Sequence, residues 1–133
     1  MEVRFFSPSY KRPEKSSTQE LFPFVKLVVC ESQAEEYQKN GNDCWVVPDS
    51  AQGNVCRIRN YILKNNQDAD CVIMMDDDYV SFSRWNNNEL YQLNSDELEE
   101  FCEIASNMAI DLGVYMWGVN CVADRGAYRE YTR

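Results

Sequence analysis

Residues 71–79 read Cys-Val-Ile-Met-Met-Asp-Asp-Asp-Tyr, five uncharged and mostly apolar residues running straight into three carboxylates. Such a run is a buried strand that delivers charge to its own C-terminal end, which is where open α/β sheets bind ligands. Three clustered carboxylates without a cation repel one another and raise their own pKa values. A divalent metal held by oxygen ligands is the economical resolution. The alternative is an acidic turn closing a strand, since Asp is a common turn residue. The apolar strand in front of Asp76, Asp77 and Asp78, and the loops described below, favour the site.

The segments around this strand alternate. Val3 to Phe6 reads as a short strand, followed by the turn-rich, basic loop Ser7-Pro8-Ser9-Tyr10-Lys11-Arg12-Pro13. Ser17 and Glu20 form a capping-box pattern for a brief helix before Pro23. Lys26 to Cys30 is a second strand; Ser32 and Glu35 predict a second capping box, with the helix stopping near Asn40-Gly41. Cys44 to Val47 is a third strand, ended by Pro48, and Gly53-Asn54 opens a helix with Val55, Ile58, Ile62 and Leu63 on one side. The pattern is β-α-β-α-β-α-β, which implies a mostly parallel sheet with right-handed crossovers and helices on both faces.

Beyond Tyr79, Val80 to Trp85 suits an edge strand or a hairpin, and Asn86-Asn87-Asn88 is a loop signal. A long helix follows, with Asp96 and Glu99 as capping box, Gly113 as stop, and core positions Leu98, Phe101, Cys102, Ala105, Met108, Ala109 and Leu112. Val114 to Cys121 reads as a last strand, after which Val122 to Arg133 is short and polar. The expected organisation is one domain over residues 1–133.

The 133 residues, 44% hydrophobic and 13% aromatic, exclude a disordered chain. The net charge of -9 opposes unaided binding to nucleic acid or anionic lipid. No apolar run approaches the roughly 18 residues of a membrane span, and Met1-Glu2-Val3-Arg4 lacks the apolar stretch of a signal peptide. Six cysteines with no Cys-x-x-Cys pair, and no histidine, give poor support for zinc and read as free thiols in a reducing compartment. A cytoplasmic location is expected.

The loop Ser7-Pro8-Ser9-Tyr10-Lys11-Arg12, Glu31 after the second strand, Arg57-Ile58-Arg59-Asn60 on the third helix and Asp76-Asp77-Asp78 together resemble the nucleotide-binding half of a GT-A glycosyltransferase, with the aspartates as its Asp-x-Asp motif. Within that superfamily, Ser9-Tyr10-Lys11-Arg12-Pro13, Met75-Asp76-Asp77-Asp78-Tyr79, Trp117-Gly118-Val119-Asn120 and Tyr128-Arg129-Glu130-Tyr131 resemble the phage-type TET-associated glycosyltransferases, which are thought to add sugars to hydroxymethylated bases in DNA. The resemblance implies a GT-A, Rossmann-like fold, a nucleoside diphosphate sugar as donor, Mn²⁺ or Mg²⁺ as cofactor and modified DNA as acceptor. It makes Asp78 the direct metal ligand, and Asp76 a partner of the ribose hydroxyls or of a metal-bound water. Asp77 points the other way by strand alternation, toward the donor or toward a neighbouring loop.

Among the cations, Lys11 and Arg12 follow a strand on the ligand-binding edge, and Arg57 and Arg59 lie near a helix start, where phosphate binding is common. Arg59, beside Asn60, resembles the donor-binding Arg-Asn of related enzymes and is the preferred diphosphate contact. Tyr10 either stacks on the base or covers the strand end; Glu31 either accepts a hydrogen bond from the base or caps the next helix. Ser9 completes the donor-binding loop. No catalytic base is assigned: Asp124 follows a strand but suits a surface turn.

Two other functions compete. A sugar-phosphate nucleotidyltransferase has a related sheet but normally carries a glycine-rich loop after the first strand, and this loop has no glycine. A catalytically silent nucleotide-binding module is the third reading. About a dozen residues remain after Cys121, too few for another core element. The expectation is therefore a donor-binding half whose acceptor site is completed by a further C-terminal part, a partner chain or self-association.

Overall fold

The computed structural model describes residues 1–119 except residue 88. Its centre is a four-stranded parallel sheet of β1 (Val3–Pro8), β2 (Lys26–Cys30), β3 (Cys44–Val47) and β4 (Cys71–Met74), in the spatial order β3-β2-β1-β4. Register is set by pairs such as Phe5 with Ile73 in β1 and β4, and Val28 with Trp45 in β2 and β3. Each strand is short and rich in β-branched or aromatic residues, as a sheet covered on both faces requires.

The period of two divides the side chains between two cores. On one face Phe5, Phe22, Val25 and Met75 pack with Leu98 and Cys102, and beside them Leu27 and Val29 pack on Ala34 and Tyr37. This face is covered by α2 (Glu31–Lys39) and by the long C-terminal helix (Ser95–Asp111), which becomes α4 in chain order. On the other face Phe6, Val28 and Val47 meet Ile58 and Ile62 of α3 (Val55–Lys64). Burying a side chain such as Ile62 or Leu98 fully contributes about 1.5–3 kcal/mol, so these two stripes dominate the attachment of their helices.

The short α1 (Ser17–Leu21) does a different job. Its Gln19 side chain donates to the carbonyls of Val25 and Asp43 at 2.7 and 2.9 Å and accepts from Asp43 N–H at 2.8 Å, which satisfies backbone groups where β2 and β3 begin. Gly41, at φ +82, allows the chain to turn from α2 into β3, a backbone conformation costly for any residue with a Cβ.

Several boundaries differ from those expected. The cap of α1 is Ser16, not Ser17, because the Ser16 hydroxyl is the one that accepts from Gln19 N–H. The Ser32–Glu35 box does not form: the cap of α2 is Cys30, two residues earlier, and Ser32 N–H donates to Asp49 Oδ1 at 3.0 Å instead. For α4 the box is Asn94 with Glu97, in reciprocal 3.0 Å hydrogen bonds, rather than Asp96 with Glu99. Val55 and Leu63 on α3, and Phe101, Met108 and Leu112 on α4, are exposed rather than core. Each helix meets one sheet face, so only the residues facing it are covered; on α4 these are Leu98, Cys102, Ser106 and Ala109.

The hairpin alternative holds for the segment after Tyr79. Strands β5 (Ser83–Asn86) and β6 (Glu89–Gln92) pair antiparallel in a separate two-stranded sheet. Residues 114–119 form no strand, which corrects that expectation for the described part of Val114–Cys121; Val114 N–H instead bonds back to the Ala109 carbonyl at 2.8 Å. Asn120, Cys121, Asp124 and the Tyr128–Tyr131 motif lie outside the described residues. The cysteines among the described residues, Cys30, Cys44, Cys56, Cys71 and Cys102, are all free. No described helix is long and apolar enough to cross a membrane.

Candidate active site

From β1 the chain moves outward through β2 to β3, then crosses back over α3 to β4 on the other side of β1. The direction of winding therefore reverses between β1 and β4, and the loops leaving their C-terminal ends meet at this switch point. Open α/β sheets bind ligands at such a switch point. Residues 9–16 and 75–82, the segments that follow β1 and β4, flank it on either side.

These segments are tied together by buried polar contacts. Asp77, 6% exposed, accepts a hydrogen bond from Ser9 Oγ, and Ser9 Oγ lies 2.9 Å from the Tyr37 hydroxyl. Tyr37 is fully buried on α2, and burial raises its hydroxyl above the usual range of a phenol. The same hydroxyl accepts the Arg12 backbone N–H at 2.9 Å. On the β4 side, Ser16 Oγ donates to the Asp77 carbonyl and Thr18 Oγ1 to the Asp76 carbonyl, both at 2.7 Å, while Tyr79 N–H donates to Thr18 Oγ1 at 2.9 Å. Two hydroxyl side chains, from the first turn of α1 and its cap, thus fix the backbone of the aspartate loop through three hydrogen bonds, a connection no short sequence motif announces.

The three aspartates have separate environments. Asp77 turns inward and is joined by Arg12, whose Nη2 is 2.5 Å from Asp77 Oδ1, although the approach is too bent for a regular hydrogen bond. Asp76 and Asp78 face solvent, with side chains 61% and 64% exposed. Arg12 Nη1 donates to Asp78 Oδ2 at 3.0 Å, and Arg59 Nη2 lies 3.5 Å from Asp76 Oδ1, at the outer limit of a contact. The hydrogen bond to Asp78, followed by the nearby Asp77 charge, holds the Arg12 guanidinium above its ordinary pKa.

The other expected residues are distributed unevenly. Tyr10 is half exposed, with Lys11 Nζ 5.2 Å from its ring centroid. Lys11 itself sits at φ +55, and its N–H donates to Gln33 Oε1 at 2.8 Å, so the loop bends sharply where the basic side chains emerge. Glu31 is exposed as the first residue of α2, beyond the end of β2; the cap position belongs to Cys30. Arg59 and Asn60 are exposed on α3. Arg57 is engaged locally, its Nη1 donating to the Gln52 carbonyl at 3.1 Å while the guanidinium packs over Gly53, where φ is +142. Ser9 and Asp77 are likewise committed to the loop framework.

Among the described residues no three His, Cys, Asp or Glu side chains converge as a closed metal cage. The pair of exposed carboxylates fits a different kind of site, one in which a hard cation takes one or two carboxylates and completes its shell with phosphate oxygens and water. A cleft of about 540 Å³ also opens on the molecule, but Val3, Lys26, Cys44 and Trp45 among its lining residues place it at the N-terminal end of the strands, away from the aspartates.

The strand order, the helices on both faces and the polar loops at the switch point define a Rossmann-like α/β protein. The family model for TET-Associated Glycosyltransferase matches residues 3–116, and the chain belongs to that family, so it is a glycosyltransferase by descent. No curated protein and no solved structure gives a significant match.

Proposed function

We propose that this chain is a single donor-binding domain of a metal-dependent glycosyltransferase that holds a nucleoside diphosphate sugar between the ends of β1 and β4. The observation that supports this most is the division of labour in Asp76-Asp77-Asp78: the middle carboxylate anchors the loops, and its neighbours stay exposed at the switch point. Exposed aspartates are ordinary in a surface turn; what favours a site is that this pair stands at the switch point where such sheets bind ligands.

In this reading Asp78 holds Mn²⁺ or Mg²⁺ directly, and Asp76 meets the ribose or a metal-bound water. The bound cation supplies Lewis-acid stabilisation of the departing diphosphate. Arg59, with Asn60, takes a phosphate oxygen through a charge-assisted contact, and Lys11 adds a second positive charge from the β1 loop. In the same reading the exposed Tyr10 ring stacks on the base, and the exposed Glu31 accepts a hydrogen bond from it. Ser9 and Asp77 act on the donor indirectly, by fixing the loop that carries Tyr10, Lys11 and Arg12. Arg57 shapes the entry to α3.

The acceptor in this proposal is a hydroxymethylated base in DNA, as the family resemblance implies, in a cytoplasmic setting that suits the free thiols. A net charge of -9 opposes unaided binding to DNA, so in this proposal a further segment, a partner chain or self-association completes the acceptor site. Calorimetry against UDP, GDP, CDP and TDP sugars, with and without Mn²⁺, tests the donor assignment. One nucleotide class should bind in a metal-dependent manner; binding of none, or equal binding with a chelator, contradicts it.

A further inference from the structure

Arg12 occupies a position that the donor-binding reading does not explain. Its guanidinium spans two carboxylates of different character: Nη2 reaches the buried Asp77, and Nη1 reaches the exposed Asp78. The groups on either side of the Asp77 leg are anchored, since the carboxylate is buried and bonded to Ser9 and the Arg12 backbone is bonded to Tyr37. The Asp78 leg is a 3.0 Å contact in solvent, and exposed pairs of this kind exchange at little cost.

We infer that Arg12 is an exchangeable counter-ion, which covers Asp78 in the free protein and moves to the donor diphosphate when a cation takes its place on Asp78. The inference rests on the proposed metal role of Asp78. A cation on Asp78 and the Arg12 guanidinium are like charges competing for one exposed carboxylate, so a cation arriving alone weakens the Arg12–Asp78 contact and gives that side of the guanidinium no new anion. A cation arriving with a diphosphate gives that guanidinium a new anion within reach of its fixed leg. Metal and diphosphate therefore favour each other's binding, and by linkage each strengthens the other by the same factor. Arg12 is a direct diphosphate contact in this scheme, held off the donor site by Asp78 until the cation arrives.

The prediction is a pair of opposite shifts. With Arg12→Gln, Mn²⁺ alone should bind about 3–10-fold more tightly, because the competing charge on Asp78 is gone. Inorganic pyrophosphate in the presence of Mn²⁺ should bind about tenfold more weakly, because the transferred charge-assisted contact is lost. Arg12→Ala provides the second variant, and thermal unfolding establishes that each is folded. Free aquo-Mn²⁺ counted by electron paramagnetic resonance gives the first affinity, and calorimetry the second. Opposite shifts in the two affinities support the exchange. Parallel weakening of both, or an unchanged Mn²⁺ affinity, overturns it, leaving Arg12 a structural or simple phosphate-binding residue. Asp78→Asn separates this from the wider reading: loss of Mn²⁺-pyrophosphate binding there retains the metal ligand even if the Arg12 shifts fail, whereas unchanged binding overturns both.

Discussion

Replacing Asp77 by alanine should damage the fold far more than replacing either neighbour, although all three are aspartates in one loop. The Asp77 carboxylate is buried, and its loss removes the acceptor of the Ser9 hydroxyl, worth about 1 kcal/mol because Ser9 still has Tyr37 as a partner. It also removes the ion pair with Arg12, whose side chain is 57% exposed, so solvent screening limits that part to about 0.5–1 kcal/mol. The expected total is about 2 kcal/mol, or a fall in Tm of roughly 6–10 °C for a domain of this size. Asp78→Ala, at an exposed carboxylate, should stay within about 0.5 kcal/mol. Urea unfolding with a common m-value, backed by calorimetric Tm, measures both. Equal losses for the two variants would show that the inward and outward aspartates have been wrongly distinguished.

Arg59→Ala should weaken binding of a nucleoside diphosphate about tenfold while leaving the nucleoside nearly unaffected, since a phosphate contact has no counterpart in the nucleoside; equal losses in calorimetry would point to a structural arginine. Asp49 accepts the Ser32 N–H at the start of α2, which holds its carboxyl below the ordinary Asp range. Because the folded value is the depressed one, its contribution is complete above the unfolded pKa of about 3.9 and is lost as pH falls through the folded value. Asp49→Ala should therefore be less stable than the parent at pH 7 and indistinguishable from it once pH is below both values; a stability difference that grows on acidification would contradict this. Burial pushes the Cys102 thiol up to about 12, whereas Cys56 is exposed, so iodoacetamide at pH 8 should label Cys56 well before Cys102 in the folded protein, and peptide mapping that finds the reverse order would place α4 wrongly.

What the sequence made legible is what depends on short-range pattern. Strands β2 and β3 fall where Lys26–Cys30 and Cys44–Val47 were expected, because apolar runs bounded by charge and proline leave little freedom. Asn54 opens α3 as its spacing suggested. Competing caps were harder: Ser16 and Ser17, or Asn94 and Asp96, offer the same chemistry one or two residues apart, and tertiary contacts choose between them. The outer residues of α3 and α4 keep helical spacing without being covered, since apolar periodicity does not report which residues meet the sheet. Least legible was the framework behind the site. Tyr37, Ser16 and Thr18 are far from Asp77 in sequence and belong to no motif, and only the convergence of α1 and α2 on the β4 loop gives them a role. One local signal was present: Tyr37 follows Ala34 on the buried stripe of α2, so its hydroxyl had to find an internal partner.

The central claim is that the exposed aspartates bind a metal-bridged nucleotide at the β1–β4 switch point, and calorimetric titration of the best-binding nucleoside diphosphate into Asp78→Asn and Asp76→Asn, each in Mn²⁺ and in chelator, tests it most directly. The account predicts that Asp78→Asn abolishes the Mn²⁺-dependent binding with the unfolding midpoint unchanged, and that Asp76→Asn weakens it to a smaller extent. Full Mn²⁺-dependent affinity in Asp78→Asn would contradict the claim, and a greater loss in Asp76→Asn would show that the two carboxylates have exchanged roles.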